Sequence, residues 1–435
     1  MFPYSEHILG EKLTKLNCFT ISILFLTSGC LSGDIVDSEG ENDEEIVLTI
    51  WYTFEGKEED VFLGSIAEFE EFEKNIKVEA ISKPYGSSEQ AFVTAALGDE
   101  APDIMRFSSD QLGYVGKFRQ NGLPLLEDLS PYMTPIEREA WDPKAIEGMR
   151  YEGSLLGLPA SQDCLSLLYN KALFDMNNLD YPNSNWTTDD LLEASISLTN
   201  NNQHGIAFPS KSPYWWFAFQ SGFGGELFTD GSSTLISNGS AESLNFTLNF
   251  ELEHDIFPAG TGVEQMENFF MESKAAMIID GPWNWAEYQA ARLQIGQVLL
   301  PYNSEGGDRM SPMVNFKGYS ISKQSENKDA AFKLISWLSS ASVQKEFAIQ
   351  TYTMPTLIEV YNDDQIKNNS VISGFINQLQ VGFPAPIDDE MGLVYNYLPD
   401  AIESTYQWIN SEGNEGNPSH ISLKLAQEAI DNEKS

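Results

Sequence analysis

The chain has 435 residues, 42% of them hydrophobic and 12% aromatic, which is enough apolar content to bury large cores and excludes global disorder. Acidic residues outnumber basic ones 65 to 25, a formal charge of -40. Such a charge argues against nucleic acid or an anionic membrane surface as a direct partner, and fits high solubility, a saline medium or a cationic ligand. The three cysteines, Cys18, Cys30 and Cys164, are too few and too scattered for a disulfide framework or a zinc site.

In chain order, Lys12 and Lys15 precede an apolar run from Cys18 to Thr27. Its length, about ten residues, is that of a signal-peptide core and is too short to span a bilayer. The run ends Thr27-Ser28-Gly29-Cys30. Small residues followed by Cys resemble a lipoprotein signal box. That resemblance implies that residues 1–29 are removed and that Cys30 carries the lipid; a plain secretory signal with an incidental cysteine is the alternative. Residues 30–45 are acidic and aperiodic and predict a solvated tether. No later stretch reaches the roughly 18 apolar residues of a membrane-spanning helix.

The folded body is expected to begin at Ile46. Ile46–Trp51 reads as a buried strand, Phe62, Ile66 and Phe69 as one face of a helix, and Ile76, Val78 and Ala80 as a second strand. Ser87 or Ser88 caps a helix that Gly98 ends, and Pro102–Phe107 is a third strand. This β-α-β-α-β order predicts a parallel sheet, with ligand space beyond the strand ends, after Trp51 and after Phe107. Gly157–Ala160 reads as a crossover into a second α/β unit. Leu165–Tyr169 and Ala275–Ile279 would be its strands, and helices are expected over 188–199 and around Phe217–Phe219. Ala330, Ala331, Leu334, Ile335 and Leu338 mark a later helical face.

Five segments in order resemble the family 1 extracellular solute-binding proteins. They are Leu48–Trp51 with its Phe-rich helix, Ala95–Ile104 with Pro102-Asp103-Ile104, and Tyr151–Pro159 running into Leu168–Lys171. Ala275–Trp283 with Gly281-Pro282-Trp283, and Lys317–Ser322 with a later Met354-Pro355, complete the set. The resemblance implies a two-lobe α/β fold of the periplasmic-binding-protein kind (type II), hinged and closing on its ligand. Expected lobes are 46–157 plus 293–345 and 158–292 plus 346–435. It also implies a monomer that hands a sugar, of maltose or maltodextrin type, to an ABC importer, held at the outer face of the membrane by its lipid.

A sugar site needs aromatic platforms for C–H faces and carboxylates for hydroxyls. At positions matching the family's maltodextrin-binding members, the first lobe offers Glu55, Phe107, Asp110 and Gln111, the last in place of an arginine. Asp163 follows the crossover. The second lobe offers Tyr214, Trp215, Trp283 and Tyr395. Structural readings stand beside these. Trp51 fits the core, Phe107 could face either way, Asp103 suits local turn bonds, and Asp110 and Asp163 could be solvated loop acids. One of the adjacent Trp215 and Trp216 should be buried.

His7, His204, His254 and His420 lack metal-ligand spacing, and no nucleophile elbow, phosphate loop or dinucleotide fingerprint occurs. No cofactor or metal is expected. A carboxylate pair leaves a secreted glycoside hydrolase open. Aromatics with acids also suit a polyamine or quaternary amine. Phosphorylated or anionic ligands are disfavoured, because no Arg or Lys clusters among these positions.

Overall fold

The computed structural model describes residues 45–412 and 416–434. The expected signal segment, Cys30 and all but the last residue of the expected tether lie outside the described residues. Among the described residues no helix is long and apolar enough to cross a membrane.

The strands that carry the architecture are β1 (Ile46–Tyr52), β2 (Ile76–Ser82), β3 (Ile104–Ser108), β4 (Leu158–Asp163), β5 (Ser166–Asn170), β6 (Met277–Asp280), β7 (Ile295–Val298), β8 (Met313–Ile321) and β9 (Phe383–Pro384). The helices that matter for the site are α1 (Gly56–Phe72), α2 (Ser88–Leu97), α3 (Ser109–Gly116), α4 (Pro213–Gly222), α5 (Val263–Met271), α6 (Lys328–Leu338), α7 (Glu390–Glu412) and α8 (Pro418–Lys434).

β1, expected as a buried run, is buried at alternate residues, Leu48, Ile50 and Tyr52, and α1 lays Val61, Phe62, Ile66 and Phe69 into the same core. That helix starts at Gly56, earlier than its apolar face alone predicts, because its first turn is polar. Glu58 and Glu59 there suit the positive end of the helix dipole. Gly98 ends α2 as read, whereas Ser87 stands at its start without a side-chain capping bond. β1 pairs in parallel with β2 and with β3, as the β-α-β-α-β order requires. Asp103 reaches further than a local turn. Its carboxylate accepts from the Thr49 N–H at 2.8 Å, from Thr49 Oγ1 at 3.0 Å and from Ser325 Oγ at 2.6 Å, binding the start of β3 to β1 and to the loop before α6.

β8 is the long strand at the middle of this sheet. It runs antiparallel to β3 and to β4 and parallel to β9, giving the order β9-β8-β3-β1-β2 with β4 also on β8. The second sheet is antiparallel, β6-β5-β7. Leu158–Asp163, expected in the second lobe, thus belongs to the first sheet, and Ile295–Val298, expected in the first lobe, to the second. Drawn by sheet, the chain crosses after Asp163 and after Val298, one strand later than at 157/158 and 292/293. Buried apolar strands have the same pattern on either sheet, so their hydrophobicity cannot say which one they join. A separate apolar cluster, with Leu244, Val394, Ile402 and Leu423, packs α4, α7 and α8 together.

Candidate functional site

A cavity of about 850 Å³ opens where the ends of β3, β4, β6 and β8 meet the starts of α1, α3 and α4. Eight of the nine residues proposed from sequence line it: Glu55, Asp110, Gln111, Asp163, Tyr214, Trp215, Trp283 and Tyr395.

Each is placed by its local chemistry. Glu55 is the residue just before α1 and makes no side-chain capping bond, so its carboxylate is free toward the cavity. Asp110 sits in the first turn of α3, buried, where the helix dipole favours an acid. Gly113 lets α3 approach the chain before α7 closely; a Cβ there would lie 2.7 Å from the Asp388 carbonyl carbon. That approach brings Tyr395 Oη, on α7, to donate to Asp110 Oδ2 at 2.7 Å. Asp163 ends β4 opposite Asn315 of β8, and Lys317 of β8 donates to its Oδ2. Trp215 is buried at the start of α4, with its Nε1 donating to the Ile279 carbonyl at 2.6 Å. Trp216 is the wholly buried partner of the pair, its Nε1 on Ser243 Oγ at 3.0 Å. Trp283 follows β6 in a short turn of helix, Pro282–Asn284, that proline starts with its fixed φ. Its ring folds over Gly281, where an added Cβ would lie 1.9 Å from the ring, so the glycine sets the ring's position.

Phe107 is the exception. It is 1% exposed and meets Phe92 edge-on at 5.2 Å, within the core. Side chains alternate along a strand, so with Arg106 directed to the cavity its neighbour Phe107 faces the other way, into the packing between sheet and helix. Trp51, as the structural reading expected, does not line the cavity; its ring packs on the core and lies 3.7 Å from Lys83 Nζ.

The sequence reading passed over several lining residues. Arg106 is 6% exposed, donates to Thr53 Oγ1 at 2.8 Å and stacks over Phe54 at 4.0 Å. Lys317, the first residue of the Lys317–Ser322 segment, lines the cavity as well. The expectation that no Arg or Lys clusters at the site is therefore corrected, since Arg106 and Lys317 both line it. An arginine inside a strand as apolar as Ile104–Ser108 was the available signal, since charges are seldom buried without purpose. Tyr85, Glu58, Asn315 and Glu267 also line the cavity and stand in no motif.

Carboxylates dominate the walls. Glu55, Glu58, Glu89, Asp110, Asp163, Glu267 and Glu287 face two basic groups, Arg106 and Lys317. Burial pushes Glu58 and Asp110 above the usual carboxylate range, against the pull of Arg106, Thr353 and Lys317 on Glu58 and of the Ser108 and Tyr395 hydroxyls and Lys317 on Asp110. Glu89 is pushed up to about 7 by burial, and Glu267 to about 7 by burial and the neighbouring Asp280. Asp280, beneath Trp283, is pushed up to about 6 by burial, with Tyr288 donating to it at 2.5 Å. Asn284 ties Glu267 to Asp280 through contacts of 2.6 and 3.3 Å.

Five lining side chains hold a buried oxygen with no hydrogen-bond partner among the described residues: Asp110 Oδ1, Asp163 Oδ1, Tyr214 Oη, Glu287 Oε2 and Asn315 Oδ1. Buried polar groups are nearly always paired, so a row of such oxygens around one cavity is built for a polar ligand. No cluster of His, Cys, Asp or Glu among the described residues could hold a metal ion.

Two α/β sheets, a chain that crosses between them, and a polar cavity at the strand ends define a solute-binding protein of the periplasmic-binding-protein fold. Residues 55–345, about two thirds of the chain, match the family described as bacterial extracellular solute-binding protein. The maltotriose-binding protein of Pyrococcus abyssi is 27% identical over 361 residues, 82% of this chain and 76% of its own. The galactooligosaccharide-binding protein of Bacillus subtilis is 24% identical, over 89% of this chain and 90% of its own length. Among solved structures, the maltose/maltodextrin-binding domain from Bdellovibrio bacteriovorus, bound to maltotriose, matches with a TM-score of 0.80 at 24% identity, covering 89% of this chain and 100% of that one. The Thermus thermophilus maltotriose-binding protein, bound with maltotriose, matches at 0.77 and 23%, covering 88% and 100%. The chain belongs to the bacterial extracellular solute-binding proteins. As a member it holds a solute and is not an enzyme, so the glycoside-hydrolase alternative is set aside.

Proposed function

We propose that this protein is the capture component of an ABC importer and that its solute is a short oligosaccharide of maltodextrin type. The observation that carries the reading is the pairing of ring faces with partnerless buried oxygens around one cavity. Trp283, Trp215, Tyr214 and Tyr395 supply faces for sugar C–H groups, and Asp110, Asp163 and Asn315 supply acceptors for hydroxyls. The volume is near the upper end of the usual range for small-ligand sites, about 300–1,000 Å³, which suits more than one sugar ring. Two relatives described above are maltotriose- and galactooligosaccharide-binding proteins, which supports the same class. In this reading the lobes divide along the two sheets, and the ligand draws them together.

Lipid attachment at Cys30 completes the proposal, on the strength of the apolar run ending in Ser28-Gly29-Cys30. Replacing Cys30 by Ala should abolish incorporation of labelled lipid; a wild-type protein that takes up none, and begins at another residue, refutes that part. The ligand is tested by a thermal-shift screen over glucose, maltose, maltotriose and galactooligosaccharides, because a ligand that binds only the folded state raises the melting temperature. Maltotriose should give the largest rise. No rise with any oligosaccharide would defeat the reading.

A further inference from the structure

Lys317 holds the position a cationic ligand would take. Its ammonium bonds Asp163 and lies 5.2 Å from the centre of the Tyr85 ring and 5.5 Å from that of Trp283. Rings on more than one side with a carboxylate between them are what a protein presents to an ammonium ion in solution. Here the ion is the protein's own. The side chain is anchored on β8, the strand that pairs with both β3 and β4 in the first sheet, and is 13% exposed against 9% for Asp163. Tyr85 comes from the segment leading into α2 and Trp283 from the turn after β6, so one ammonium touches rings carried beside different sheets.

We propose that Lys317 is the specificity-determining residue of the cavity, a built-in ammonium that fills the aromatic–carboxylate cage, shuts out cationic solutes and commits the site to neutral, hydroxyl-bearing ones. The inference rests on the oligosaccharide reading for the second half of that statement only. Charge accounts for the rest. Asp163 already neutralises Lys317, and Asp110 and Glu58 feel the same ammonium, so the group does not create an anion site. Its N–H groups not used on Asp163 can donate to sugar oxygens, while Asp163 Oδ1, without a partner, can accept from a hydroxyl. Remove the ammonium and Asp163 becomes a buried carboxylate beside two ring faces that has lost its bonded cation, with Arg106 the one basic side chain left on the cavity wall among the described residues, a state that favours a cation from solution.

The test is calorimetry with maltotriose and with spermidine on wild type, Lys317→Ala and the double variant Lys317→Ala with Asp163→Asn. Lys317→Met is a second route should the alanine variant not fold. Wild type should take maltotriose and show no spermidine heat. Lys317→Ala should bind spermidine at least tenfold more tightly than wild type and maltotriose at least tenfold more weakly, and adding Asp163→Asn should erase the spermidine gain. Wild type binding spermidine as tightly as the folded single variant does, or a single variant with no gain, overturns the proposal. A wild type that binds no oligosaccharide defeats the sugar reading instead, and the spermidine comparison still decides the role of Lys317.

Discussion

Asp110→Asn should move stability and affinity in opposite directions. The carboxyl is 5% exposed, one oxygen taken by Tyr395 and the other without a partner. Burial raises its pKa above the ordinary 3.8, with the Ser108 and Tyr395 hydroxyls and Lys317 pulling the other way. A carboxyl raised in the folded state binds its proton more tightly there. Its penalty on stability is therefore absent below the ordinary value, grows as pH rises toward the folded pKa, and is complete above it. The amide keeps the shape and removes the charge, so at pH 7 the unliganded variant should gain about 0.5–2 kcal/mol, the usual return for relieving a functional compromise. Below the ordinary value, near pH 3.5, it should match wild type. Binding should fall, because the ligand hydroxyl at Oδ1 exchanges a charge-assisted bond for a neutral one. The two classes differ by about 1–1.5 kcal/mol, roughly five- to tenfold in Kd. Urea melts at the two pH values and calorimetry with maltotriose measure both halves. A variant that is less stable at pH 7 and binds as wild type would mean that Asp110 is a structural acid and the site is misplaced.

Trp283→Ala should weaken maltotriose binding by about 2 kcal/mol, as loss of a buried aromatic anchor does, with the melting temperature without ligand little changed; unchanged calorimetry would remove the ring from the site. Phe107→Ala should do the reverse, costing about 3–5 kcal/mol in denaturant melts through a core cavity, and a folded variant whose only defect is affinity would contradict its placement against Phe92. Asp280 and Glu267, raised to about 6 and about 7, favour their neutral forms in the folded state, so stability should fall as pH climbs from the ordinary carboxylate range to about 7. Asp280→Asn should reduce that total fall by about 3 kcal/mol, the worth of about two pKa units, read from melting curves between pH 4 and 8; an unaltered fall would acquit Asp280.

Residues whose role follows from strand and turn position were legible in the sequence. Asp110 and Trp283 each lie just past a strand end, where ligand sites in open α/β sheets form, and the Gly281-Pro282-Trp283 turn carries its own geometry. Lys317 and Arg106 were not legible in this way. Whether a strand residue faces cavity or core depends on which sheet and which neighbour it pairs with, and pairing is set by contacts far apart in the chain, such as Lys317 with Asp163, 154 residues away. The inward turn of Phe107 and the sheet that each of Leu158–Asp163 and Ile295–Val298 joins have the same origin. Apolar runs announce burial and leave open which surface buries them.

The distribution of partnerless oxygens bears on how such a site could close. Asp110 opens the helix that follows β3 and Asn315 lies on β8, both of the first sheet, while Glu287 follows β6 of the second sheet and Tyr214 adjoins Trp215, which bonds the Ile279 carbonyl of β6. A ligand lying against one side satisfies only part of the set and leaves the rest buried at a cost of about 1–3 kcal/mol each. A ligand spanning both sides satisfies more of them, and only when the walls are close. Closure then follows from differential affinity, which is all that a ligand can use to shift a conformational equilibrium. On the oligosaccharide reading, chain length becomes a measure of this. Glucose, touching one wall, should bind weakly without closing the cleft, and maltotriose should bind and close it, so that small-angle scattering reports a smaller radius of gyration with the trisaccharide alone. Equal compaction by glucose would show that one wall suffices, and that the oxygens across the cleft are satisfied by something other than the sugar.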